Sequence, residues 1–173
     1  MVLFHEGELR SLIRLSSEDH SAIARRVTNL LREPNPVKTG RVFLEEGLVH
    51  RTARGELVRS KSEVIIANIL SAMNLWYQYE EPFVGRDGSV RYPDFTCKKQ
   101  KTDKRALLIE HLGMMQDASY QRRWETKLKW YRLHDVRLAE ESRDDLVTLL
   151  VTSETKGIDS AQIKARIQEI LHL

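Results

Sequence analysis

The apolar positions change their period several times along the chain, and each change marks an element. Ile23, Val27, Leu30 and Leu31 recur at helical spacing within residues 16–32. Ser16 or Ser17 supplies a cap, Glu18 and Asp19 match the helix dipole, and Pro34 and Pro36 end the segment. Residues 42–48 fit no single period. Leu48 to Thr52 and Glu56 to Val58 read as a hairpin turning at Arg54 and Gly55, with little apolar content. Ser60-Lys61-Ser62-Glu63 then opens the clearest helix, capped by Ser60 or Ser62, with Val64, Ile65, Ala67, Ile69, Leu70 and Met73 as its apolar surface. Strand-like runs follow at residues 75–79, 80–84, 90–96 and 106–111, with a turn at Gly85-Arg86-Asp87-Gly88. Tyr120, Trp124, Leu128 and Tyr131 define a second helix over residues 117–133. Residues 145–152 read as a buried strand, and Ile163, Ile167, Ile170 and Leu171 mark a terminal helix from Ser160. Taking the contiguous runs 75–79 and 80–84 as one strand, the order from Ser60 onward is helix, three strands, helix, strand, helix.

Composition narrows the class without fixing it. The chain has 173 residues, enough for one domain and an extension, and an ordinary balance of 41% hydrophobic and 31% charged residues. We divide it into an extension, 1–55, partly helical, and a domain, 56–173. The net charge is +3 and the pI about 9.0. The basic residues cluster at 51–61, 98–105 and 122–132, which suits a polyanionic partner better than the total suggests. One cysteine, Cys97, excludes a disulfide framework or a zinc knuckle within the chain and points to a reducing compartment. No apolar run approaches the roughly 20 residues of a membrane span, and residues 1–10 do not resemble a secretory signal. The expectation is a cytoplasmic protein with no membrane contact. No P-loop, dinucleotide-binding glycine loop or metalloprotease helix is present.

The candidate chemistry lies in two short apolar runs that each end on an acid. Arg91-Tyr92-Pro93-Asp94-Phe95-Thr96 and Leu107-Leu108-Ile109-Glu110-His111-Leu112-Gly113 flank a polar segment holding Lys98, Lys99, Lys101, Lys104 and Arg105. Paired as a hairpin, they set Asp94 and Glu110 side by side. Two such carboxylates require a cation or a shared proton. A hard divalent ion takes oxygen ligands and leaves positions for water and phosphate, which suits phosphodiester cleavage. The ordinary alternatives are a turn-capping aspartate and an edge-strand charge. The apolar run before Glu110 argues against the second, because a carboxylate ending a buried strand needs a partner.

These residues together resemble the PD-(D/E)xK nuclease superfamily, with its restriction-endonuclease-like αβββαβ core: a mixed central sheet flanked by helices. Within it, Ser60 to Glu63, Tyr92 to Thr96, Glu110 to Gly113, Trp124 through Lys127 to Tyr131, and Gly157 to Ser160 are similar to nuclease-like modules found alone or attached to superfamily 1 DNA helicases. The resemblance covers residues from about Arg59 to the C-terminus and leaves the first ~55 unexplained. It implies a Mg2+- or Mn2+-dependent deoxyribonuclease, endonucleolytic in the sense of internal cuts, serving repair, recombination, restriction or mobile-element processing. It implies Asp94, Glu110 and the backbone carbonyl of His111 as metal ligands, with Glu63 at a second metal or its water. The alternative for Glu63 is a first-turn dipole match. Lys61, Lys98, Lys99, Tyr120, Arg122 and Arg123 are candidate DNA contacts, against the ordinary reading of a solvated surface. Trp124 and Trp130 read as core. A helicase or other DNA-processing protein, and a second copy of the chain, are possible partners.

One position departs from the pattern. The superfamily's lysine follows the second acid by two residues, and here that residue is Leu112. Either a lysine has migrated or catalysis is lost. Lys127 is the candidate replacement and Lys129 its alternative; they are offset by about 200° on one helix, so only one faces the site. A silent nuclease-fold module that binds nucleic acid or protein is the competing reading.

Overall fold

The computed structural model describes residues 47–141, 145–154 and 157–173. All of them belong to a unit running from Arg41 to Leu173. The expected helix over residues 16–32 lies outside the described residues. Strands β1 (His50–Arg51) and β2 (Leu57–Val58) pair antiparallel as the expected hairpin. That hairpin straddles residue 55, so the line drawn there between extension and domain passes through a paired element.

Helix α1 (Lys61–Ala72) starts where the sequence places it. Ser60 accepts from the Glu63 amide at 3.1 Å, and the Glu63 carboxylate accepts from the Ser60 amide at 3.1 Å. This reciprocal cap satisfies two of the amides that a helix start leaves unpaired. Helices α2 (Ala118–Leu133) and α3 (Ser160–Leu171) are capped by Asp117 and Asp159.

Five strands form the central sheet in the order β3 (Trp76–Tyr79), β6 (Phe95–Lys98), β7 (Ala106–Leu112), β9 (Val147–Ser153) and β8 (Arg137–Leu138). The β3–β6 and β6–β7 pairs are antiparallel, while β9 runs parallel to both β7 and β8. The protein is therefore mixed α/β, a mixed sheet flanked by helices, compatible with a nuclease-like core. The run read as one strand over residues 90–96 is two. Pro93 has no amide to give a ladder, and Val90–Arg91 (β5) instead pairs with Phe83–Val84 (β4) in a separate hairpin. Gly85 ends β4 against α2. A Cβ there would lie 2.8 Å from both Trp130 and His134, so a larger residue would push the hairpin off the helix.

The sheet has a core on each face. Leu107, Ile109, Phe95 and Cys97 pack with Ile66, Leu70, Ile163 and Ile167 of α1 and α3. Leu108 and Leu149 pack with Trp130 and Tyr131 of α2. Strand β7 is buried along its whole length, as a central strand covered on both faces must be. Truncating a fully buried residue such as Leu70 or Ile167 to alanine costs about 2–5 kcal/mol.

Candidate acidic site at the sheet end

Register brings the acids together. Phe95 pairs with Ile109, and Tyr79 with Phe95. One step further along the same ladders, Asp94 stands opposite Glu110, and Glu80 stands beside Asp94, its amide donating to the Asp94 carbonyl at 3.0 Å. Three acidic residues thus form a row across three strands at one end of the sheet. Side chains alternate along a strand. With Ile109 facing α1 and α3, Glu110 faces α2 and His111 faces α1.

Glu110 is 4% exposed. Its Oε1 accepts from the Tyr131 hydroxyl at 2.6 Å and lies 2.5 Å from Lys127 Nζ. The same ammonium donates to the Tyr92 carbonyl at 2.8 Å. Lys127 is half-buried, whereas Lys129 is exposed. Of the two lysines weighed from the sequence, Lys127 is the one that meets the acid. Leu112, at the motif position, is buried at 7% exposure, so the ammonium arrives from α2 and not from β7.

Asp94 is fixed differently. Its Oδ2 accepts from the His111 amide at 2.7 Å. Burial, and next the charge of Glu110, push its carboxyl well above the usual carboxylate range; the His111 amide and Lys127 oppose this. Burial also raises Glu110, against the pull of Lys127 and Tyr131. Both acids therefore ionise against resistance, and Lys127 relieves it only in part. Burial and the adjacent Glu110 charge raise the Tyr131 phenol too.

The remaining sequence-predicted residues divide. Tyr120 is at the site: burial raises its phenol first, then the charges of Asp94 and Glu110. Glu63 has its Oε2 held by the Arg59 and Ser60 amides and by the Tyr79 hydroxyl at 2.9 Å. That is the capping role; its charge still helps to raise Asp94. His111 contributes its amide. Its imidazole is on the α1 side, with Nδ1 2.9 Å from Thr152 Oγ1 and Nε2 3.4 Å from Glu154 Oε2. Arg123 lies on α2, over the Tyr120 ring, and Lys61 is exposed at the start of α1. Lys98 and Lys99 are elsewhere. Lys98 ends β6 about 13 Å of strand beyond Asp94 and lies over Trp76, and Lys99, just past the strand, donates to the His172 carbonyl.

The sequence alone does not signal two participants. Tyr131 reads as part of the apolar stripe and of the segment that carries the resemblance, with no role for its hydroxyl, which orients Glu110. Glu80 reads as the start of a strand. Its side chain is 10% exposed and paired with Arg59, while Oε2 is buried with no hydrogen-bond partner among the described residues. No spacing rule signals Glu80, because it joins the row only through the β3–β6 register.

The donor set suits a hard ion in one respect. Among the described residues no group of three or more His, Cys, Asp or Glu side chains is arranged to hold a metal. Mg2+ does not require one: it is commonly bound by one or two carboxylates, with water and substrate phosphate completing its shell. Asp94 and Glu110 supply such a pair of oxygen donors.

Fold and site together define a mixed α/β protein with a row of acids and one lysine at the end of its sheet. No protein-family model matches the chain. It is 31% identical over 157 residues to the uncharacterized protein MJ1519 of Methanocaldococcus jannaschii. The match takes in 86% of this chain but 13% of that protein, so the chain spans a small part of its relative's length.

Proposed function

We propose that the chain is a metal-dependent deoxyribonuclease that makes internal cuts in DNA. The observation that carries this reading is the register that sets Asp94 against Glu110 with Lys127 Nζ 2.5 Å from the latter. Asp94 and Glu110 would hold Mg2+ or Mn2+, the His111 carbonyl being a further candidate and Glu63 a ligand of a second ion. When bound, the ion supplies positive charge for the scissile phosphate and acidifies a water molecule.

The chain's own residues do the rest. The His111 amide fixes one Asp94 oxygen, and the Tyr131 hydroxyl fixes one Glu110 oxygen. Lys127 adds a cation where negative charge develops in phosphodiester cleavage, the part otherwise taken by the lysine two positions after the acid. The half-buried setting strengthens each of these interactions. We place the activity in the cytoplasm, in DNA repair, recombination, restriction or mobile-element processing, beside a helicase or another DNA-processing protein, or as a homodimer. Among the described residues no helix is long and apolar enough to cross a membrane.

The test is cleavage of supercoiled, linear and single-stranded DNA across Mg2+ and Mn2+. The expected result is metal-dependent nicking or linearisation that falls at least about 100-fold in Asp94→Ala and in Glu110→Ala. Salt-sensitive DNA binding with no cleavage under either metal would instead favour the silent module that Leu112 suggests.

A further inference from the structure

A groove of about 550 Å3 opens beside the acids, lined by Arg91, Ser119, Arg122, Arg123, Thr126 and Lys127. Its lining has four cationic side chains, two hydroxyls and no carboxylate. Ser119, Arg122, Arg123 and Thr126 fall at i, i+3, i+4 and i+7 on α2, one stripe of the helix surface. The stripe is about 10 Å long.

The three arginines are not spent on the fold. Among the described residues none is in an ion pair within 4 Å. Arg123 donates to Ser119 Oγ at 3.0 Å and lies over the Tyr120 ring, and its charge also acts on the helix-capping Asp117. Arg91 donates to the Val90 carbonyl at 2.9 Å and lies over Trp130. Arg122 is exposed, with no side-chain hydrogen bond or ion pair among the described residues. Guanidinium groups with no carboxylate in close contact among the described residues, set around a concave surface, favour phosphate oxygens, which they grip in a bidentate way. Lys127 belongs both to this lining and to the Glu110 contact, so the groove runs into the acidic row.

We infer that this groove seats the sugar-phosphate backbone of the DNA strand leading to Asp94 and Glu110. The inference rests on the nuclease reading for the strand's destination, and it moves the DNA path away from Lys98 and Lys99. An acidic protein segment is the other polyanion that such a surface could attract; the groove's sharing of Lys127 with the acidic row favours DNA.

The experiment is fluorescence anisotropy with a fluorescein-labelled 20-mer, single-stranded and duplex, in EDTA. The full chain carries Asp94→Asn and Glu110→Gln, so that neither cleavage nor acid–phosphate repulsion enters. Adding Arg91→Gln and Arg122→Gln should weaken binding about 10- to 100-fold and reduce the slope of log K against log salt by about 1.4–1.8. Arg91→Lys with Arg122→Lys should restore most of the slope. Lys98→Ala with Lys99→Ala should change affinity less than about threefold. Arg91 touches Trp130, so Arg122→Glu serves as a second variant free of that contact, and it too should weaken binding at least tenfold. An unchanged affinity in the groove variants, an equal loss in the Lys98 and Lys99 variant, or equally tight and equally arginine-dependent binding of polyglutamate would overturn the inference. Groove-dependent DNA binding in a chain that cuts nothing would sink the nuclease reading and leave the groove standing. Cleavage by a chain whose groove variants bind normally would do the reverse.

Discussion

Lys127 and Asp94 carry the sharpest consequences for single side chains. If Lys127 supplies the charge that Leu112 cannot, Lys127→Met should lower cleavage about 100- to 1,000-fold. Lys129→Met should stay within about twofold, since Lys129 is exposed. Equal effects in a plasmid-cleavage assay would count against the assignment. Asp94 predicts a pH dependence. Its carboxyl is raised in the folded chain by burial and by Glu110, so between the ordinary carboxylate range and that raised value the native state holds a proton that the unfolded state has lost. Stability therefore falls as pH rises through this window. Asp94→Asn removes the effect, and without metal its thermal midpoint should exceed the parent's at pH 8 and fall below or match it near pH 4. The acid pair itself was legible in the sequence, because two apolar runs ending in carboxylates around a polar link already imply the pairing. Glu80 and the Tyr131 hydroxyl were not. One depends on a register between strands, and the other on a polar atom at the tip of a residue whose ring belongs to the core.

The elements that hold these groups were readable where a local rule sets them. Helices α1, α2 and α3 begin at Ser, Asp and Asp caps, and their apolar stripes are long enough to show a period. Short strands carry no such period. Arg137–Leu138 has two residues, and only its parallel pairing with β9 makes it a strand. The break at Tyr92-Pro93 was hidden because residues on both sides are strand-like; proline's missing amide, and the competing partner at Phe83–Val84, decided it. The α1 cap offers a test, because Glu63 has both a capping contact and a proposed metal role. Ser60→Ala should cost about 1 kcal/mol of stability, read from urea unfolding, and leave metal-dependent cleavage within about threefold. Glu63→Gln keeps a hydrogen-bonding side chain at the cap but loses the charge. A drop in cleavage beyond tenfold at unchanged stability would support the second-metal role, and unchanged cleavage would leave capping as its function.

Across the whole unit, two cores packed on opposite faces leave the sheet end as the place where polar groups can gather. The row of acids sits there, α2 brings Lys127 and Tyr131 to one side of it, and the arginine groove continues along the same helix. Folding thus holds carboxylates together at an electrostatic cost that a bound cation would relieve. An ion that binds the native state alone stabilises it by mass action, by about 1.4 kcal/mol at ten times its Kd. The thermal midpoint should then rise by about 4–7 °C with Mg2+ at that level, and not in the Asp94→Asn, Glu110→Gln double variant. Calorimetric titration of Mn2+ into the parent chain, each single variant and the double variant reads the same event without relying on cleavage or unfolding. Saturable binding that weakens at least tenfold in Asp94→Asn and in Glu110→Gln is the expected result. Identical binding isotherms in all four proteins, or no binding to the parent, would contradict a shared ion between these two acids.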